Sequence, residues 1–127
     1  MTMLPAVTTE ERSLNEHPVA GIEHRGGAAI VHLVGELDLY NAPEVRKALL
    51  ELCSEQPERL VVDLGEVDFI DSTVLGVLTE ARTKLANRRS FLLAAPGLET
   101  HRALTISGLD QHLAVHDSVD AALTAEL

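Results

Sequence analysis

Ser72 lies between Asp71 and Thr73 and directly ahead of the apolar series Val74, Leu75 and Leu78. This spacing places a hydroxyl at or beside the N-cap of a helix, where the first N–H groups have no intrahelical partner. Two readings are open. In one, Asp71, Ser72 or Thr73 simply caps the helix. In the other, the Ser72 hydroxyl carries a phosphate that meets the free N–H groups and the positive end of the helix dipole. A phosphate would bring roughly 1.5 to 2 negative charges to a segment that already holds Asp68 and Asp71. At ~6 Å and an effective dielectric of 20, each unit like-charge pair costs on the order of 3 kcal/mol before screening. Since 1.4 kcal/mol is about tenfold in affinity, such a group can turn a bound surface into an unbound one.

Other residues invite chemistry less strongly. Asp38 sits in Gly35-Glu36-Leu37-Asp38-Leu39-Tyr40, where an Asx turn in a solvated loop is the plain reading. Tyr40 beside it is either an exposed anchor for a partner or packed over the following helix. His112 and His116 stand four apart in a strand-like segment, without the helix and third ligand of a zinc site. Cys53, the single cysteine, reads as a half-buried apolar side chain on a helix. Gly26-Gly27 fits a hairpin turn, because the Gly-x-Gly-x-x-Gly and Walker spacings of phosphate-cradling loops are absent. Two enzyme-like readings weaken on inspection. The residues around Ser72 do not supply the Gly-x-Ser-x-Gly elbow of a hydrolase. Asp63, near a strand end, would suit a phosphoaspartate receiver, but no Lys follows either late strand.

The composition narrows the classes further. The chain has 127 residues, enough for one core, and twenty acidic against ten basic residues give a formal charge of −10. Duplex nucleic acid and anionic membranes are repelled unless basic residues gather on one face, and Arg88-Arg89 is the sole cluster. Three aromatic residues are too few for a base-stacking platform. No apolar run approaches the ~20 residues of a membrane span, and the first residues lack signal-peptide character. The expectation is a cytoplasmic domain without nucleic-acid or membrane partners and without a cofactor or metal of its own.

The elements that must position these residues follow from periodicity. Residues 1–17 read as a flexible leader and residues 18–127 as one domain. Val19 to His24 and Ala28 to Val34 read as a hairpin. Asn41 and Glu44 have capping-box spacing with Pro43 in the first turn; Ala42, Val45, Ala48, Leu49, Leu52 and Cys53 give that helix one apolar face, ending near Ser54. Leu60 to Leu64 reads as a buried parallel strand. Val74, Leu75, Leu78, Ala81 and Leu85 mark a second helix whose last turn is expected to carry Lys84, Arg88 and Arg89. Phe91 to Ala95 is a strand, a helix follows to Ser107 with Gly108 as its stop, and Leu113 to Val115 is a last strand. Val119, Ala122 and Leu123 mark a final helix capped by Asp117 or Ser118. The order is ββαβαβαβα, an α/β fold: a small mixed sheet with an N-terminal hairpin, later parallel strands and helices packed on it.

With these pieces in place the sequence resembles a family. Gly35-Glu36-Leu37-Asp38 before a capped helix, then Val67-Asp68-Phe69-Ile70-Asp71-Ser72-Thr73-Val74-Leu75-Gly76-Val77-Leu78, looks like the STAS-domain anti-sigma-factor antagonists of bacteria. The resemblance runs from about Val19 to the C-terminus. It implies the STAS fold and an anti-sigma-factor antagonist. When unphosphorylated, such a protein binds an anti-sigma factor that is itself an ATP-binding serine kinase, and so releases the sigma factor. Phosphorylation of the serine after the aspartate, Ser72 here with Thr73 as fallback, abolishes binding until a metal-dependent serine phosphatase removes the group. Asp38 and Asp71 match the acidic residues around the phosphosite, so Asp38 either orients a kinase-bound loop or stays a solvated carboxylate. Val74 stands where the family usually has glycine, which predicts extra bulk near the docking surface formed with Thr73. ATP would belong to the partner, and the antagonist is expected to be a monomer or weak dimer. The alternative implied by the same resemblance is a non-switching scaffold subunit of a stress-sensing or transport-associated complex.

Overall fold

The computed structural model describes residues 17–127; the leader expected over residues 1–17 lies, apart from His17, outside the described residues. One five-stranded sheet runs β1-β2-β3-β4-β5: Val19–Arg25, Ala28–Leu37, Arg59–Ile70, Phe91–Ala94 and Ala114–His116. β1 is antiparallel to β2 and the remaining pairs are parallel. The hairpin turns at Gly26-Gly27, and Gly26 takes φ 57, a left-handed value that favours glycine. Helices α1 (Ala42–Ser54), α2 (Ser72–Thr83) and α3 (Leu98–Ser107) connect the parallel strands, and α4 (Val119–Thr124) closes the chain. The three crossovers step in one direction across the sheet, so a single handedness puts α1, α2 and α3 on one face.

That face holds the main core, in which Val31, Leu33, Leu49, Val62, Leu78, Leu93 and Leu104 are buried together. The opposite face has a small cluster, Ile30, Val61, Leu92 and Ala94, covered by Ala122 of α4. Beyond α4 this face turns polar, where His32 lies between Asp63 (Nδ1 to Oδ2, 2.6 Å) and Glu23 (Nε2 to Oε1, 2.7 Å). Asp63 therefore lies inside a twelve-residue strand, hydrogen-bonded to histidine, and not near a strand end as a receiver aspartate would be.

Several boundaries differ from expectation for reasons of pairing. β2 runs on to Leu37 and β3 to Ile70 because the two strands hydrogen-bond side by side to their ends, Leu37 opposite Ile70. The pairing shifts register between Gly35 and Glu36, where Gly35 adopts φ 79, so a bulge stands where a loop was expected. Helix α2 stops at Thr83, and Arg88 and Arg89 sit outside it in a 3-10 turn. Gln56 explains the stop: its side chain donates to the Lys84 carbonyl and accepts from the Ala86 N–H, both at 3.0 Å or less. The last strand begins at Ala114 and not Leu113, and Ser118 caps α4 by accepting from the Ala121 N–H at 3.0 Å. Cys53 is fully buried, donating to the Ala81 carbonyl at 3.3 Å, and burial pushes its thiol pKa up.

Candidate functional site

The ends of β2 and β3 bring the two sequence segments together. The Asp71 N–H donates to the Leu37 carbonyl at 3.0 Å, so the chain leaves both strands side by side, one into Asp38 and the other into Ser72. Adjacent strands lie about 4.8 Å apart, which makes Asp38 and Asp71-Ser72 neighbours across the sheet.

Asp38 forms the Asx turn read from sequence. Its Oδ1 accepts from the Tyr40 N–H (3.0 Å) and the Asn41 N–H (3.3 Å). Asn41 answers by accepting from the Asp38 N–H (2.8 Å) and donating to the Glu36 carbonyl (2.7 Å). The side chain of Asn41 is thus committed to stapling the loop back onto β2. It makes no side-chain cap for α1, and the expected capping box with Glu44 does not form. The turn pushes Tyr40, 88% exposed, and Leu39, 63% exposed, into solvent. Packing of Tyr40 over the first helix is therefore ruled out. Phe69, paired with Glu36 across the strands, is 51% exposed beside them. Leu39 and Phe69 escaped the sequence reading; their signal was an apolar residue interrupting a polar loop or a strand end.

At the second exit Asp71 is the N-cap. Its backbone is extended, its Oδ1 accepts from the Val74 N–H at 3.1 Å, and its carbonyl accepts from the Leu75 N–H at 3.0 Å. This decides among the three capping candidates. Ser72 and Thr73 become the first two helical residues, both exposed, with the Ser72 hydroxyl released from capping. The N–H groups at these positions precede the first intrahelical bond and face outward with the positive helix end. Val74 differs from expectation: it is fully buried in the main core and contributes no bulk to the surface. Its place in the first helical turn directs its side chain inward, and no positive φ is demanded there.

Thr73 opens onto a groove of about 620 Å³ between α1 and α2, lined by Leu39, Pro43, Leu50 and Val77 together with Arg46. Arg46 bridges the two helices through a bidentate pair with Glu80 at 2.8 and 2.7 Å. The arrangement is a hydroxyl at a helix mouth, ringed by carboxylates and by exposed apolar side chains. It can accept a group at Ser72 Oγ, and it can dock a protein. Among the described residues no group of three or more His, Cys, Asp or Glu is placed to hold a metal ion.

Such a sheet, with a serine at the mouth of its second helix, defines a class. The STAS domain family matches residues 20–122, and the chain belongs to that family. Relatives within it include proteins named anti-sigma-factor antagonists. RsfB of Mycobacterium tuberculosis, named an anti-sigma-F factor antagonist, is 30% identical over 103 residues, 81% of this chain and 84% of the relative. The anti-sigma F factor antagonist of Paenibacillus polymyxa is 36% identical over 106 residues, 81% of this chain and 90% of the relative. The crystal structure of an anti-sigma factor antagonist from Mycobacterium paratuberculosis superposes with a TM-score of 0.77 at 32% identity, covering 81% of this chain and 88% of that one. No helix among the described residues is long and apolar enough to cross a membrane.

Proposed function

We propose that this protein is an anti-sigma-factor antagonist switched by phosphorylation of Ser72. Unphosphorylated, it binds an anti-sigma factor that is also an ATP-binding serine kinase, and the sigma factor is released. The kinase transfers phosphate to Ser72, the complex parts, and a serine phosphatase restores the binding form. The protein has no catalytic residues of its own in this reading, takes no cofactor, and works in the cytoplasm as a monomer or weak dimer. Asp38, Asp71 and Thr73 frame the docking surface, with Leu39, Tyr40 and Phe69 as its apolar contacts.

The observation that carries the reading is the division of labour at the mouth of α2. Asp71 supplies the cap, so the Ser72 hydroxyl is exposed and uncommitted. A phosphate there gains from the helix dipole by about 0.3–1 kcal/mol, which keeps the fold intact. Against a partner the same phosphate must be desolvated beside Asp38 and Asp71, a loss of several kcal/mol by the Coulomb estimate at short range. The loss exceeds the gain, so docking fails while folding survives.

The test pairs a binding assay with site mapping. Incubation with an anti-sigma factor kinase and ATP is expected to place phosphate on Ser72, read by mass spectrometry. In pull-downs wild type and Ser72→Ala retain the anti-sigma factor, and Ser72→Glu loses it. Phosphate found mainly away from Ser72 and Thr73, or equal recovery by Ser72→Glu, overturns the reading.

A further inference from the structure

Seven arginines lie among the described residues, and they divide sharply by partner. Arg25 pairs with Glu23, Arg46 with Glu80 and Arg102 with Glu99, while Arg59 donates to the Ala122 carbonyl at 2.9 Å. The remaining three, Arg82, Arg88 and Arg89, have no ion pair among the described residues, and all three line one cleft of about 330 Å³. His112 and His116 complete its polar wall, and Glu126 is the one acidic side chain in its lining. In a chain of formal charge −10 carboxylates are plentiful, yet among the described residues none pairs with these three arginines, which line one cleft with Arg88 and Arg89 exposed to an incoming anion.

The fold builds this convergence from separate segments. Arg82 comes from the last turn of α2, and the 3-10 turn presents Arg88 and Arg89. Asn87 fixes that turn: its side chain accepts from the Arg89 N–H at 3.0 Å, and its carbonyl accepts from the buried Ser90 hydroxyl at 2.5 Å. Arg82 is ten residues along α2 from Ser72, about 15 Å at the helical rise, so the cleft is distinct from the phosphosite.

We propose that this cleft binds a small phosphate-bearing anion carrying two or more negative charges. Guanidinium forks match phosphate oxygens bidentately, and several forks in one cleft select a multiply charged group over chloride. The volume lies at the lower end of small-ligand pockets, which suits a diphosphate-sized group.

Calorimetric titration of the full chain with pyrophosphate, in buffer with ordinary salt, tests the assignment. Saturable one-to-one binding is expected, weakened about tenfold or more in Arg88→Ala and in Arg89→Ala. Arg102→Ala and Ser72→Ala are expected to bind as wild type does, which keeps this result independent of the phosphosite. Circular dichroism confirms that the variants are folded. The proposal is overturned if pyrophosphate gives no saturable binding, if both cleft variants bind like wild type, or if sulfate binds equally well. It is also overturned if a poly-glutamate peptide binds and pyrophosphate does not.

Discussion

Asp71 and Ser72 are adjacent in the chain yet face different demands, and a single hydrogen bond separates them. With the Asp71 carboxylate on the Val74 N–H, the cap is satisfied and the next hydroxyl is free. Asp71→Ala is therefore expected to destabilise the fold by about 1 kcal/mol, whereas Asp71→Asn retains most of the stability, both read from urea denaturation. Equal midpoints for wild type and Asp71→Ala would contradict the capping role. Val74 makes the complementary case. Replacing it with glycine, the residue the family resemblance led one to expect, removes a fully buried side chain and adds backbone freedom in a helix. Val74→Gly is expected to cost about 3 kcal/mol in the same measurement, and a neutral effect would show that the surrounding core collapses without loss. The residue types at this site were legible in the sequence. Which of Asp71, Ser72 and Thr73 would cap was not, because all three are good caps and only the path of the chain out of β3 chooses between them.

Among the elements, β2 and β3 carry the site because they stay paired to their last residues. Sequence periodicity located the apolar middle of β3, from Leu60 to Leu64, but its continuation through Gly65, Glu66 and Asp68 has no strand-like pattern. The strand continues because β2 lies opposite Glu66, Val67, Phe69 and Ile70, while Gly65 and Asp68 fall at the two shifts of register. The same pair of strands holds a titrating link. Burial alone would push the His32 imidazolium pKa down, but the hydrogen bonds to Asp63 and Glu23 outweigh it and hold the pKa above the ordinary histidine value. Glu23 is held below the ordinary carboxylate range by its hydrogen bond to His32 and then by Arg25. The His32 contribution to stability is fully present below the ordinary histidine pKa and is lost as pH rises through the elevated folded value. The Glu23 contribution is present above the ordinary carboxylate range and is lost as pH falls through its lowered value. The unfolding free energy of wild type relative to His32→Gln should therefore shrink from mildly acidic to alkaline pH. A difference that is flat across that range would show that the link is not ionic.

For the whole molecule, placing α1, α2 and α3 on one face leaves the strand exits, the mouth of α2 and the groove beside Thr73 at one edge of the structure, outside the core. In the proposed switch, a charge added at Ser72 acts on a partner and not on the fold. Ser72→Glu should unfold within about 0.5 kcal/mol of wild type, checked by thermal and urea denaturation; a large loss would tie the serine to the core. The local pattern of residues was enough to establish the hairpin turn, the apolar faces of the helices, the alternation of strand and helix, and the serine at a helix start. These are legible because helix and strand periods and turn preferences act over a few neighbouring residues. Tertiary structure alone decided the end of β3, the use of Asn41 on β2, the exposure of Leu39 and Phe69, and the meeting of Arg82 with Arg88 and Arg89. Each of those depends on a contact between segments distant in the chain, and no local period encodes which distant backbone or side chain will arrive.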